Sequence, residues 1–222
     1  MLSEDFSYLV EEFGKPKKAT QLPAATIAAL RGKLPDSLLD FWTECGVGVW
    51  LDGKFQFCNP EDYRSIVEMI CGSDKDFDAP HCHAIGFSAF GELYIWHEKH
   101  RYLNADLPLL QATASMLRPQ KLTDERAIAT PLAFLDGKRS GEMYDDSADA
   151  KPLFARALKK LGELNPGEIY GFVPALGLGG PPRLENLQRV RALEHFAILA
   201  QIGRLRLMDY SSGAGVFVRE IG

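Results

Sequence analysis

The stretch GVWLDGKFQFC, from Gly48 to Cys58, constrains this chain most. Asp52-Gly53 is a favoured two-residue hairpin turn, because both residue types tolerate positive φ. Strands joined so tightly must run antiparallel. The turn sets Trp50 across from Phe55, with Phe57 diagonal on the same face. Three aromatic rings on one side of a hairpin belong in a core. A fold built on this unit is a meandering sheet, not a doubly wound one.

The flanking segments agree. Ser3 can cap a first helix, with Glu4 and Asp5 at its positive end and Phe6, Leu9, Val10 and Phe13 on one face. Gly14 and Lys15-Pro16 end it. A short helix is expected from Thr26 to Arg31. Pro35 opens a third, with Leu38, Leu39, Phe41 and Trp42 inward and Gly46 closing it. Asn59-Pro60 caps and starts another, with Tyr63, Ile66, Val67 and Ile70 inward. Strands follow at Ala84–Phe87, Glu92–His97 and near Arg101–Leu103. No regular strand–helix alternation appears, so the chain reads as α+β, a mixed or antiparallel meandering sheet with packed helices.

Signals weaken between Asn104 and Pro119. That places a boundary there and divides the chain into two tightly associated subdomains, 1–107 and 108–222. In the second, Asp124–Leu135 reads as a helix interrupted at Pro131, and Asp136–Asp149 as an acidic turn. Ala150–Gly162 is amphipathic, with Leu153, Phe154, Ala157, Leu158 and Leu161 inward. Asn165-Pro166-Gly167-Glu168 has the form of a capping box, with Glu168 reaching back to the Asn165 amide. A short apolar strand and a glycine-dense loop come next. Leu184, Leu187, Val190, Leu193, Ala197 and Ala200 keep helical spacing, and Phe196–Ile202 is apolar nearly all round, which predicts a buried end. Strands at Arg204–Met208 and Val216–Arg219 close the chain.

Composition removes several function classes. With 222 residues, 46% hydrophobic and 25% charged, this is an ordinary globular composition. No run of about 18 apolar residues is present, so no membrane span is expected. The first residues are acidic where a signal peptide is basic, which points to the cytoplasm. A net charge of −5 argues against direct nucleic-acid binding through a basic face and is compatible with a basic protein partner. Cys45, Cys58, Cys71 and Cys82 form no CxxC pair and read as buried thiols.

No complete catalytic or cofactor motif emerges. Gly177, Gly179 and Gly180 precede a helical pattern, where phosphate loops sit. Pro181-Pro182 stands where one phosphate motif needs Gly-Lys-Ser/Thr, and Pro182 where the other needs its third glycine. The loop still supports a second reading, a small-ligand or nucleotide-binding regulatory domain. His81, Cys82, His83, His97 and His100 supply ligand types for zinc at non-standard spacing, a third reading. Cys82 beside histidines lacks the motif that surrounds a catalytic thiol, and no GxSxG elbow occurs.

Two segments carry a family resemblance. LPDSLLDFWTECGVGVWLDGKFQFCNPEDY and AIGFSAFGELYIW resemble the GAD-like domain of bacterial polymorphic-toxin immunity proteins, and more loosely the SMI1/KNR4 group. From GEMYDDSADAKPLFARALKKLGELNPGEIYGFVPALGLGG onward the chain is similar to the C-terminal domain of type VI secretion immunity proteins, once called DUF1851. The resemblance implies a cytoplasmic antitoxin that binds a cognate type VI effector, a nuclease such as a DNase. It carries over no catalytic residue. The acidic, aromatic group Tyr144, Asp145, Asp146 and Asp149 is the expected contact patch, joined by Arg183 on the Leu178–Arg183 rim and by Glu168.

Overall fold

The computed structural model describes residues 2–72, 74–117, 123–126, 128 and 142–222. Its centre is a nine-stranded sheet. In chain order its first strands are β1 (Lys17–Thr20), β2 (Val47–Trp50), β3 (Phe55–Phe57), β4 (Cys82–Ser88), β5 (Glu92–His97), β6 (Arg101–Asp106) and β7 (Gln111–Ala114). After them a separate two-stranded sheet forms from β8 (Glu168–Phe172) and β9 (Leu187–Arg191). The chain then returns with β10 (Leu205–Asp209) and β11 (Val216–Ile221), which extend the large sheet beyond β7. All its pairings are antiparallel except β7–β10.

The hairpin forms in the expected register, Trp50 opposite Phe55. Lys54 N donates to Leu51 O at 3.1 Å, and Asp52 (φ 57°) and Gly53 (φ 103°) both lie left-handed. That is the turn whose twist suits two antiparallel strands. Trp50 and Phe57 meet edge-on at 6.0 Å.

Helices cover both faces. On one lie α1 (Glu4–Phe13), α2 (Ala24–Leu30) and α3 (Asp36–Cys45), packed on Trp50, Phe55, Phe57, Tyr94 and Trp96. On the other lie α4 (Arg64–Cys71) and, late in the chain, α6 (Ala192–Ile202). This second core joins Ile66, Val67 and Ile70 to Phe196, Leu199, Leu207 and Ile221. A third, smaller core sets α5 (Phe154–Leu161) and the β8–β9 hairpin against Ala89 and Phe90. All four cysteines are buried and unpaired.

Three expectations need correction. Ser3 stands at the first cap but makes no cap bond; the Asp5 amide donates to Glu125 Oε1 at 3.1 Å instead. The expected long helix begins only at Ala192. Leu187–Arg191 is a strand, because the apolar strand before it has an open edge that these five residues satisfy in full register, Phe172 opposite Leu187 and Glu168 opposite Arg191. The end of α6 is not buried all round, since Ile198 is 52% exposed. The helix expected over Asp124–Leu135 is helical at 124–126 and 128; its remainder, and the turn from 136 to 141, lie outside the described residues.

Candidate functional site

Residues 142–153 form an acidic loop whose charges are divided between scaffold and surface. Glu142 Oε1 accepts from the amides of Leu153 (3.0 Å) and Phe154 (2.9 Å), capping α5 from outside it. Asp145 is also committed inward. Its carboxylate accepts from Ser147 Oγ at 2.5 Å, Arg156 at 2.5 Å and the Lys151 amide at 2.9 Å. The Ser147 hydroxyl and the Arg156 guanidinium hold this carboxyl well below the usual carboxylate range. Asp146 points outward and meets Arg183 Nε, at 2.8 and 3.0 Å to its two oxygens. Asp149 is exposed, 3.9 Å from Lys151. Tyr144 is exposed, and its backbone bridges to Pro152.

The structure therefore pairs Asp146 with Arg183, on the loop that also carries the exposed Tyr144 and Asp149 and that Asp145 anchors. Glu168 lies elsewhere. It starts β8, at the opposite end from the loop that carries Arg183. Its Oε2 accepts from the Asn165 amide (2.9 Å) and Asn165 Nδ2 (3.0 Å), the reach-back the sequence predicts, though a strand follows and not a helix.

The glycine loop is closed on itself. The amides of Leu178 and Gly180 both donate to Ala175 O at 3.0 Å, and Gly179 N donates to Leu176 O at 2.9 Å. The donors a phosphate would need are already used. No α-helix follows directly; Leu184–Asn186 is one 3₁₀ turn. Gly180 is small for a packing reason, because a Cβ there would lie 2.0 Å from Pro174 O.

Of the candidate zinc ligands, His83 stands apart, whereas the His97 ring lies 6.1 Å from His81 and 5.0 Å from His100. His83 Nε2 faces Glu98 at 2.9 Å. Asp78 lies between His81 Nδ1 (2.5 Å) and His97 Nε2 (3.4 Å), and these donor atoms fall within 4.8 Å of one another. The second nitrogen of His97 decides what this group can do. Nδ1 accepts from the amides of Lys99 (3.1 Å) and His100 (2.9 Å), so the neutral ring carries its proton on Nε2, facing Asp78. A metal-bound histidine turns its other nitrogen to an acceptor; this one faces two donors. The group suits a hydrogen-bonded imidazole–carboxylate network. Burial holds His97 below its ordinary pKa, and the Asp78 hydrogen bond raises His81.

One feature the residue pattern did not single out is a carboxylate pair. Glu92 and Asp106 stand opposite each other on β5 and β6. Burial raises Glu92 to about 7 and Asp106 to about 6, with Asp106 adding to the Glu92 shift. Tyr94 donates to Glu92 at 3.0 Å. Only the cross-strand register reveals the pair.

Comparison with known proteins fits this architecture. Residues 4–107 match the GAD-like domain, and residues 133–203 match the C-terminal domain of the T6SS immunity protein Tdi1. The crystal structure of Atu4351 from Agrobacterium tumefaciens is similar over 99% of this chain and 97% of that one, at 34% identity and a TM-score of 0.89. No curated protein matches the chain. The chain belongs to the type VI secretion immunity proteins that join a GAD-like domain to a Tdi1-type C-terminal domain. No helix among the described residues is long and apolar enough to cross a membrane.

Proposed function

We propose that this protein acts in the cytoplasm as a non-enzymatic inhibitor of one cognate type VI effector, and that the effector's toxin domain is a nuclease of the DNase kind. The observation that carries the reading is the match of residues 133–203 to the C-terminal domain of the T6SS immunity protein Tdi1, beside the GAD-like match at residues 4–107. The chemistry supports it. A DNA-cleaving domain presents a basic face, and this chain has a net charge of −5. Binding by occlusion needs no catalytic group on the inhibitor.

The contact patch we assign is Tyr144, Asp146, Asp149 and Arg183, on the loop anchored by Asp145. Its charges set association rate and partner choice, and Tyr144 supplies an aromatic anchor. The test is a pull-down from the source bacterium, followed by calorimetry with the recovered effector's toxin domain. Nanomolar or tighter binding, with loss of nuclease activity in the mixture, is expected. A recovered partner without nuclease activity would remove the nuclease part of the reading. An Asp146→Ala, Asp149→Ala, Arg183→Ala variant with undiminished affinity would remove the patch.

A further inference from the structure

The loop that carries Tyr144, Asp146 and Asp149 keeps its shape without a hydrophobic core of its own. Between Met143 and Leu153 no apolar side chain is buried; Tyr144 and residues 146–152 are all exposed. Asp145 alone turns inward, its side chain 8% exposed. A segment that buries nothing apolar gains little to offset the entropy of being ordered. Its order comes from two carboxylates instead.

Glu142 closes the base. Its Oε1 accepts from the amides of Met143 (3.1 Å), Leu153 (3.0 Å) and Phe154 (2.9 Å), so one oxygen ties the start of the loop to its end. Asp145 fills the middle. Its Oδ1 accepts from the Lys151 amide at 2.9 Å, while the Asp145 amide donates to Lys151 O at 2.9 Å. The same carboxylate takes Ser147 Oγ and the Arg156 guanidinium of α5. At the tip the Ala150 amide donates to Ser147 O at 2.9 Å, with Ala150 left-handed (φ 44°). A residue other than glycine keeps that conformation only where its surroundings hold it.

Capping α5 accounts for part of this. The bonds from Leu153 and Phe154 to Glu142 satisfy amides that the helix leaves open. The Asp145 bonds cap nothing. They fix Ser147–Lys151, which contributes no buried apolar surface, and thereby hold Tyr144, Asp146 and Asp149 in one arrangement before a partner arrives. A loop that must settle on its partner spends binding free energy on its own ordering, and a loop already settled does not.

We propose that Glu142 and Asp145 are positioning residues of the inhibitor: they preform the 142–153 loop, so that Tyr144, Asp146 and Asp149 meet the effector already in place. This rests on the inhibitor reading and on the contact patch assigned to this loop.

The experiment begins with amide hydrogen exchange on free wild-type protein. The amides of Lys151, Leu153 and Phe154 should be protected before toxin is added. Protection that appears only with toxin would mean that the effector orders the loop, and would overturn the proposal. Calorimetry against the recovered toxin domain, inactivated by mutation, then compares Glu142→Ala with Glu142→Gln. Both lose the same charge, but only glutamine keeps an oxygen acceptor for the three amides. The alanine variant should bind about tenfold more weakly than the glutamine variant. Asp145→Ala and Asp145→Asn form a second pair, should Glu142→Ala fail to fold. Melting temperature reads the structural role alone: alanine variants that melt lower yet bind as tightly as their amide counterparts would confine both carboxylates to stability and leave the inhibitor reading standing. If wild type does not bind the toxin domain, the inhibitor reading itself fails and the positioning role with it.

Discussion

Gln56 and Gly167 join the first part of the chain to the last. Gln56 Oε1 accepts from the Gly167 amide at 2.9 Å, and Gln56 Nε2 donates to Glu168 O at 2.8 Å. The side chain is 2% exposed. Phe55 and Phe57 face the α1–α3 side, so strand alternation turns Gln56 to the other side, toward the turn before β8. Gln56→Leu leaves an amide and a carbonyl unpaired in a buried place, at a cost of about 2 kcal/mol. Urea denaturation measures it; a variant as stable as wild type would show that water replaces the amide without loss.

Local signals and long-range pairings part company here. The Asp52-Gly53 turn, the Asn59 cap and the Glu168 reach-back were legible because each is set within a few residues. Asn59 Oδ1 does accept from the Glu61 amide, at 3.4 Å. Gln56 reads as any polar residue in a strand until the turn at Pro166-Gly167 is placed beside it. The strand Leu187–Arg191 reads as helix because Leu187 and Val190 are three residues apart, a helical spacing that a strand places on opposite faces; only the open edge of β8 decides. Of the site, the acidic loop and Arg183 were legible as residues, but their pairing and the inward role of Asp145 were not. Their partners lie 37 residues away, for Asp146, and 11, for Asp145.

The β10–β11 hairpin is fastened by Arg219, which donates to Asp74 at 2.5 and 2.9 Å and to Asp76 at 2.8 Å. Burial alone would raise the Asp74 carboxyl. Hydrogen bonds from Arg219 and from the Asp76 and Phe77 amides outweigh that and hold it well below the usual range. Arg219→Ala strands a buried carboxylate and should cost about 3 kcal/mol at pH 7. Because the folded pKa is depressed, this stability is present above about pH 4 and is lost as pH falls through the folded value. The variant's deficit should therefore shrink in acid, which denaturation from pH 7 down to about pH 2 would show.

Glu92 and Asp106 act with the opposite sign. Their folded pKa values, about 7 and about 6, lie above those of the unfolded chain. The folded state then holds more protons between about pH 4 and 7, so stability falls as pH rises through that window. Glu92→Gln removes most of the slope and should stabilise at pH 8 by about 2 kcal/mol, with little change at pH 4. A slope unchanged by both Glu92→Gln and Asp106→Asn would mean that the pair is solvated.

The glycine loop separates its structural role from a ligand-binding one. Gly180 lies where a Cβ would meet Pro174 O at 2.0 Å, and Gly177 where it would meet Ile202 at 2.9 Å. Gly180→Ala must move backbone and should cost about 2 kcal/mol or more. Saturating ATP, GTP or NAD should leave the wild-type melting temperature unchanged, whereas ligand at about 100 times its dissociation constant would add roughly 2.7 kcal/mol. A rise with any of them would restore the nucleotide reading.

Asp146 and Arg183 test whether the acidic loop serves folding or recognition. Both side chains are solvent-exposed, and such pairs contribute little to stability. The exchange Asp146→Arg with Arg183→Asp keeps an opposite-charge pair while moving each charge across the loop. Net charge and melting temperature should therefore hold. If the loop steers the effector, association should slow several-fold at low salt, with the difference shrinking as salt rises. Stopped-flow measurement at two ionic strengths reads this directly. Equal rates for the exchanged and wild-type proteins would confine the pair to holding the loop against the residue 173–183 segment, and the recognition surface would have to lie elsewhere.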